Sequence, residues 1–262
     1  MKYPLHFVHG NGFPSPCYRQ LLERLQTRFD CHYIDKVGHD AAFPVADSWQ
    51  GLVDEVILSV KKSSNQPVIA LGHSLGGVLS VMAALQEPAL FKMVIMLDSP
   101  LIGRFKSSLV RLSKQVGLID HLTPAFRTRR RRTRWDTREQ VLAYLKTKSL
   151  FKHFTAACLD DYIDFGLQRD DTGYTLRFDS EIEYQIYRTI PHTLSRYEEQ
   201  LQVPTVLVYG NQSRVVDRYD RRYMHKHYSI RSIGTQGTHM FPMEHPDRVA
   251  DLIFTITGVM SC

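Results

Sequence analysis

The chain has 262 residues, of which 43% are hydrophobic and 23% charged, and it carries a formal net charge of +6 at pH 7. This length suits one large core or a core with an inserted subdomain, and the composition excludes a disordered protein. No run approaches the roughly 18 apolar residues that a membrane-spanning helix needs, and no signal peptide precedes the first predicted strand. We therefore expect a cytoplasmic protein without a transmembrane segment.

Cysteine and histidine spacing indicates neither a disulfide framework nor a metal site. The chain has four cysteines, none at a paired spacing: Cys17, Cys31, Cys158 and Cys262. The close pair His225 and His227 has no set of carboxylates or cysteines beside it, so it predicts a solvated helix face. We expect no cofactor and no metal ion.

Strands and helices alternate along the first 100 residues and again after residue 200. The apolar runs predict strands at residues 5–9, 31–35, 68–71, 93–97, 204–210 and 229–233. Helices are predicted at residues 15–28 and 48–62, after strand 68–71, and at the C-terminal end. Such alternation predicts a three-layer α/β core with about six parallel strands, wound by right-handed crossovers.

The first strand runs into a glycine-bearing loop, His9-Gly10-Asn11-Gly12. Ser15 and Pro16 then open a helix whose apolar residues share one face. An isolated loop of this kind is compatible with an ordinary turn at a strand end. Whether this loop has a function depends on the motif that follows the third predicted strand.

That motif is G-H-S-L-G at residues 72–76, which lies between the apolar run 68–71 and a predicted helix that ends before Pro88. A strand, a G-x-S-x-G turn and a helix in this order predict a nucleophile elbow. The small residues Gly72 and Gly76 let the strand and the helix approach closely. The Ser74 hydroxyl is then expected clear of the sheet, near the N-terminus of the helix.

Residues 101–200 break the alternation and are mostly typical of helices, for example Arg138–Lys148 and Ser180–Leu194. Residues 101–150 contain 13 Lys and Arg against 3 Asp and Glu, a net charge of +10. Residues 151–200 contain 5 against 10, a net charge of −5. The basic and acidic halves of this segment are therefore expected to neutralise each other in part.

The segment Arg127–Arg134 holds six arginines in eight residues. Such a run is able to bind phosphate, an anionic lipid surface or nucleic acid. We favour the simpler interpretation, a solvated loop or helix face. Nucleic acid is the least favoured partner because no aromatic residues interleave with the arginines to stack on bases.

A histidine lies shortly after the last predicted strand, in the sequence Gly237-Thr238-His239-Met240-Phe241-Pro242. An amphipathic helix follows, with Pro246 suited to its first turn. With the elbow and the His-Gly loop, this arrangement resembles the α/β-hydrolase family, and within it uncharacterised bacterial members with a cap domain. The resemblance implies that His239, rather than His245 or the pair near residue 226, is the general base.

The same resemblance implies a hydrolase core at residues 1–100 and 201–262, with a mostly helical cap inserted at residues 101–200. It implies that the backbone amides of Asn11 and Leu75 form the oxyanion hole. The chain departs from the family in beginning at what would be the third strand. We therefore expect the core to lack the early antiparallel pair.

The acid of the catalytic triad is the ambiguous member. Family members commonly place it three residues after the glycine that ends strand 204–210, where this chain has Ser213. Serine cannot carry the negative charge that stabilises an imidazolium. Asp98, at the end of strand 93–97, is our preferred alternative, and Asp217 is the second. The order Ser–Asp–His along the chain fits both.

These residues predict a serine hydrolase that cleaves carboxylic esters or thioesters through an acyl-enzyme on Ser74. The expected partner is a small-molecule ester, with an anionic one compatible with the arginine run. A carbon–carbon bond hydrolase with the same triad is one alternative. A non-catalytic binding protein on the same scaffold is the other, and Ser213 in the acid position is the feature that favours it. A serine at the elbow and Leu75 beside it argue against dehalogenase chemistry, which uses an aspartate nucleophile.

Overall fold

The structure is a computed structural model and describes residues 2–258, so Cys262 lies outside the described residues. The first part of the chain forms β1 (Tyr3–Val8), α1 (Arg19–Gln26), β2 (Phe29–Tyr33), α2 (Gln50–Ser63), β3 (Val68–His73), α3 (Leu75–Gln86) and β4 (Phe91–Leu97). The middle forms α4 (Arg104–Gln115), α5 (Ile119–Leu122), α6 (Ala125–Arg129), β5 (Arg134–Trp135), α7 (Arg138–Lys146), α8 (Ala156–Gly166), β6 (Leu167–Asp170), β7 (Gly173–Leu176) and α9 (Ser180–Arg188). The last part forms β8 (Thr205–Gly210), α10 (Arg218–Tyr228), β9 (Arg231–Thr235), α11 (Phe241–Glu244) and α12 (Pro246–Ile256).

The central sheet has six strands in the order β2-β1-β3-β4-β8-β9, and every neighbouring pair is parallel. Side chains alternate between its two faces, so Leu71 packs into one hydrophobic cluster and Ala70 into the other. Helices α1 and α12 cover the first cluster, and α2, α3 and α10 cover the second. The predicted three-layer α/β core with about six parallel strands is confirmed.

The middle segment, residues 101–200, leaves the sheet after β4 and returns before β8, and these two strands are direct neighbours. It is mostly helical, but it also contains a small antiparallel sheet in the order β5-β7-β6, which the sequence did not predict. Trp135, Val141 and Tyr162 of this segment pack in the same cluster as Phe13 and Tyr18. The division into core and cap at residues 101 and 200 stays a prediction.

Helix α4 buries two of its serines and exposes three of its large apolar residues. Ser107 and Ser113 are buried, whereas Phe105 is 77% exposed and Leu109 and Leu112 are also exposed. Phe105, Leu109 and Leu112 are four and three residues apart, so their side chains share one face of the helix. This face therefore has no covering partner among residues 2–258.

None of the helices in the described part of the chain is both long and apolar enough to cross a bilayer. Cys17, Cys31 and Cys158 are free thiols. Within residues 2–258 no three His, Cys, Asp or Glu side chains are grouped so that they could hold a metal ion. The cytoplasmic location stays a prediction.

Candidate active site

Ser74 occupies the sharp turn between β3 and α3, at a backbone φ of 52°. A non-glycine residue adopts this conformation only under constraint. The constraint comes from the glycines on either side of it. A side chain on Gly72 would overlap the backbone of Gly76, and a side chain on Gly76 would overlap the carbonyl of Val8. Strand and helix can therefore meet closely only with glycine at both positions.

The turn directs Ser74 to the N-terminus of α3, where the Ser74 carbonyl accepts the amide hydrogens of Gly77 and Val78. The amide of Ser74 is itself bonded to the carbonyl of Leu97 at the end of β4, 2.9 Å away. This end of a helix carries a partial positive charge. A negative charge that develops on a substrate oxygen beside Ser74 would be stabilised there.

His239 and Asp98 meet at the carboxyl ends of the strands. Nδ1 of His239 lies 2.7 Å from Oδ2 of Asp98, and the Asp98 side chain is fully buried while that of His239 is 23% exposed. Because a carboxylate only accepts hydrogen bonds, Nδ1 carries the hydrogen and Nε2 is left as the acceptor. An imidazole held in this tautomer can take up a proton at Nε2.

Asp98 has further partners that fix its carboxylate. The backbone amide of Gly210 donates to Oδ1 at 3.2 Å, and the Ser213 hydroxyl donates to Oδ2. Ser213, at the position where family members commonly have an acid, thus donates to the carboxylate of Asp98, the candidate acid that follows the neighbouring strand. Asp98 also adopts a positive φ of 46°, which turns its side chain sharply at the end of β4.

Asp217, the second candidate acid, has other contacts. It caps the N-terminus of α10, where its carboxylate accepts the amide hydrogens of Tyr219 and Asp220 at 2.7 and 2.8 Å. Its other oxygen pairs with Lys106 at 2.9 Å. The structure brings Asp98, and not Asp217, to His239.

The loop that carries Asn11 is a tight turn, closed by a hydrogen bond from the Phe13 amide to the Gly10 carbonyl at 3.1 Å. The His9 side chain makes two hydrogen bonds that fix this turn. Its Nδ1 donates to the Gly10 carbonyl at 2.8 Å, and its Nε2 accepts from the Val37 amide. Burial lowers the pKa of His9 to about 4, which keeps the ring neutral as these two bonds require. Among residues 2–258 no acceptor within the protein bonds the amide of Asn11 or that of Leu75.

His73, the residue before Ser74, connects this loop through hydrogen bonds to the segment that contains His239. Its Nε2 lies 2.9 Å from the carbonyl of His239, so Nε2 donates, and Nδ1 accepts from the Tyr18 hydroxyl at 2.7 Å. Tyr18 in turn accepts the Gly10 amide hydrogen at 3.2 Å. Burial lowers the pKa of His73 well below its usual value, and the nearby His239 acts in the same direction. A neutral His73 therefore links Gly10 to His239 through Tyr18.

In this state Ser74 Oγ makes no direct hydrogen bond to the His239 ring within the described part of the chain. Hydrogen bonds between a nucleophile and its base are often long without substrate and tighten in the Michaelis complex.

Comparison with known proteins identifies the family. A model of the "Alpha/beta hydrolase family" matches residues 7–252. The chain belongs to the α/β-hydrolase family. This hydrolase is 26% identical over 257 residues to the uncharacterized hydrolase YugF of Bacillus subtilis (strain 168), covering 94% of this chain and 86% of that one. The predicted resemblance to uncharacterised bacterial members is thereby confirmed.

Solved structures with the same fold include two enzymes with named activities. The hydrolase superposes on an E-2-(acetamidomethylene)succinate hydrolase with a TM-score of 0.76 at 20% identity, over 98% of this chain and 91% of that chain. It superposes on the thioesterase domain from the curacin biosynthetic pathway with a TM-score of 0.73 at 18% identity, over 96% and 91%. At these low sequence identities, the likeness shows a shared fold and nothing about activity.

A buried polar cluster beside the Asn11 loop of the hydrolase was not found from the sequence. The Asn11 side chain donates to the Glu183 carbonyl at 3.0 Å, and Arg131 Nη1 donates to the Glu183 carboxylate at 3.1 Å. Tyr187 lies against Asn11. Burial raises the pKa of Glu183, and the positive charge of Arg131 opposes that shift. Nothing in the local pattern around Glu183 marks it, because its partners lie more than 50 residues away.

Proposed function

We propose that the protein is a serine hydrolase that cleaves carboxylic esters, thioesters included, through an acyl-enzyme on Ser74. The observation that carries the proposal is the hydrogen bond from His239 to the buried Asp98, formed at the same end of the sheet as the strained Ser74 turn. A serine hydroxyl becomes an effective nucleophile when an oriented imidazole accepts its proton. A buried carboxylate both orients that imidazole and stabilises its protonated form.

The reaction follows from these positions. Ser74 Oγ attacks the ester carbonyl and its proton passes to Nε2 of His239, while the amides of Asn11 and Leu75 hold the oxyanion. The tetrahedral intermediate collapses, and the alcohol or thiol leaves with the proton from His239. Water then attacks the acyl-enzyme with His239 as the base, which releases the carboxylic acid and restores Ser74. Protein groups and water supply every step.

A fluorophosphonate probe tests the nucleophile. It reacts with serines whose hydroxyl is activated by a general base, so we expect stoichiometric labelling of the protein on Ser74, mapped by peptide mass spectrometry. Ser74→Ala should abolish the label and leave the melting temperature close to that of the original chain. Folded protein that stays unlabelled would contradict the proposal.

A pair of matched substitutions tests the acid. Asp98→Asn should lower kcat for a short-chain ester by about 10⁴, because the amide holds the imidazole in the wrong tautomer. Asp217→Asn should change kcat by less than about threefold and change the unfolding free energy by less than about 1 kcal/mol, since asparagine caps a helix N-terminus about as well as aspartate. If the two effects on kcat were exchanged, Asp217 would be the acid.

Two other functions remain as alternatives. A carbon–carbon bond hydrolase would use the same serine and histidine, and turnover of a diketone substrate in the absence of ester turnover would favour it. A binding protein on this scaffold was favoured by Ser213 in the usual acid position. The Asp98 carboxylate beside His239 provides the missing charge, which supports an enzyme over a binding protein.

A further inference from the structure

A large cavity lies between the middle segment, residues 101–200, and the Asn11 loop. Its volume is about 930 Å³, enough for a substrate group of many atoms. Much of its wall is aromatic or aliphatic, contributed among others by Phe13, Trp135, Phe151 and Tyr162. Such a wall favours a hydrocarbon chain or a ring, because burial of apolar surface is favourable.

Four side chains give the same wall a positive charge: Arg127, Arg130, Arg132 and Lys148. None of them forms an ion pair with a carboxylate in the range 2–258. Three lie over aromatic rings instead: Arg130 is 4.3 Å from the ring centre of Phe126, and Arg132 and Lys148 lie over Trp135 and Tyr144. Arg132 also donates hydrogen bonds to the Arg134 carbonyl and to Gln140. The stacked guanidinium of Arg130 keeps its N–H groups available for an anion.

The negative charge on the wall is already neutralised. Glu183 is the one acidic residue that lines the described cavity, and it is paired with the partly buried Arg131. The remaining cations are therefore unbalanced, and the cavity has a net positive charge next to an apolar surface. Four of the six arginines in the Arg127–Arg134 segment line the cavity, and three of these four are exposed, so the solvated face that the sequence favoured borders this cavity.

The cavity adjoins the Asn11 loop. Phe13 belongs to the same tight turn as Asn11, and Glu183 and Tyr187, which also line the cavity, both contact Asn11. The Glu183 carboxylate reaches so close to the loop that a side chain on Gly12 would lie 2.8 Å from it. A substrate bound at the Asn11 amide thus has this cavity within reach of its other end.

We propose that the cavity selects esters whose acyl chain is apolar along its length and ends in an anionic group, with Arg127 and Arg130 as the residues that bind that end. The proposal rests on the proposed ester hydrolysis at Ser74. A carboxylate at the chain end would receive charge-assisted hydrogen bonds from the guanidinium groups. A neutral chain of the same length would gain only the apolar contacts.

Two p-nitrophenyl esters of equal chain length test the proposal: the monoester of suberic acid, which ends in a carboxylate, and the octanoate, which ends in a methyl group. We expect kcat/KM to be at least about tenfold higher for the suberate, mainly through KM. The double variant Arg127→Gln and Arg130→Gln should remove this preference by raising KM for the suberate alone. Added salt should weaken the preference in the original chain.

The same arginine segment supplies a matched control. Arg129 does not line the cavity and lies over the ring of Tyr184, 5.1 Å from its centre. Arg129→Gln removes one of the positive charges of the same segment, against two in the double variant, and should leave the suberate preference intact. Equal loss in the control and in the double variant would overturn the assignment, since it would reflect only the overall charge.

A binding measurement separates this proposal from the proposed function. Suberate alone, titrated calorimetrically into Ser74→Ala protein, should bind, and the added Arg127→Gln and Arg130→Gln substitutions should weaken that binding by about tenfold or more. If neither ester is hydrolysed but suberate binds as expected, the esterase function fails and the anion site stands. Hydrolysis of both esters at equal kcat/KM, without suberate binding, would overturn the anion site alone.

Discussion

At the scale of single residues, the contacts of Asp98 with Ser213 and His239 show how a candidate acid can follow β4 instead of β8. β4 and β8 are adjacent and parallel, so residues that follow them lie side by side at the carboxyl end of the sheet. A carboxylate on either strand can therefore reach the same histidine. Ser213, three residues after the end of β8, donates a hydrogen bond to the carboxylate of Asp98, the residue that follows β4. Asp98 thus places a carboxylate beside Nδ1 of His239, although position 213 holds a serine.

Glu55 is a second residue whose environment has a measurable consequence. It is 7% exposed, its carboxylate accepts the Gly38 amide at 2.8 Å, and no Lys or Arg forms an ion pair with it in the described residues. Burial raises the pKa of Glu55 from 4.5 to about 7. The folded state therefore retains the proton over a pH range in which the unfolded chain releases it.

From this shift we predict that Glu55→Gln stabilises the protein above neutral pH. The folded-state pKa is the higher one, so the wild-type chain loses stability as pH rises from 4.5 to 7, whereas glutamine stays neutral and still accepts the Gly38 hydrogen. Thermal unfolding should show little difference at pH 5 and an increase in Tm of roughly 2 to 6 °C at pH 8. Glu23→Gln, at an exposed position, should show no such pH-dependent gain.

At the scale of elements, the turn between β3 and α3 depends on close approach of backbones rather than on side-chain packing. Gly76 of α3 lies against the carbonyl of Val8 at the end of β1, so three elements meet at one position. Any side chain there would push the helix away from the sheet. Both the fold and the placement of Ser74 depend on that contact.

We predict that Gly76→Ala lowers the unfolding free energy by about 3 kcal/mol or more, because the overlap is with backbone atoms that cannot rotate away. Gly103→Ala is the matched control, since its side chain would meet only the Tyr223 ring at 3.2 Å. Urea denaturation of the two variants provides the measurement. A Gly76→Ala protein as stable as the control would show that α3 can shift without cost.

The sequence predicted elements well where the pattern is local. The predicted strand at residues 5–9 is β1 at Tyr3–Val8, and the predicted strand at 31–35 lies two residues earlier, at Phe29–Tyr33. The predicted helix Ser180–Leu194 ends at Arg188, because Pro191 disfavours helical backbone before it. The strands β5, β6 and β7 were missed because each has only two to four residues and is defined by its pairing.

The same distinction holds within the candidate site. The sequence singled out Ser74, His239 and the Asn11 loop as candidates because each lies in a motif with a fixed place relative to a strand. Tyr18 and Glu183 were missed because their roles come from contacts with residues far along the chain. His73 lies inside the recognised motif, but its bond to the His239 carbonyl depends on the two loops meeting. Long-range pairing is the information that a single sequence does not contain.

At the scale of the whole molecule, charge and apolar surface are both concentrated in residues 101–150. The core contributes the candidate catalytic residues, and the middle segment contributes most of the cavity wall. The two meet at the contacts of Asn11 with Glu183 and Tyr187. The two proposals therefore assign the chemistry and the choice of substrate to different parts of the chain. Changes to the cavity should alter KM for particular esters and leave the fluorophosphonate reaction of Ser74 unaltered.

The outward apolar face of α4 has a practical consequence for anyone who immobilises this protein. Of the thirteen large apolar side chains exposed among residues 2–258, seven fall between Phe105 and Phe126. A hydrophobic bead or an air–water interface would adsorb the molecule preferentially through this stretch. Phe126 also borders the cavity, so adsorption in that orientation would obstruct the entrance for substrate. A hydrophilic support, or attachment through the opposite end of the molecule, would leave it open.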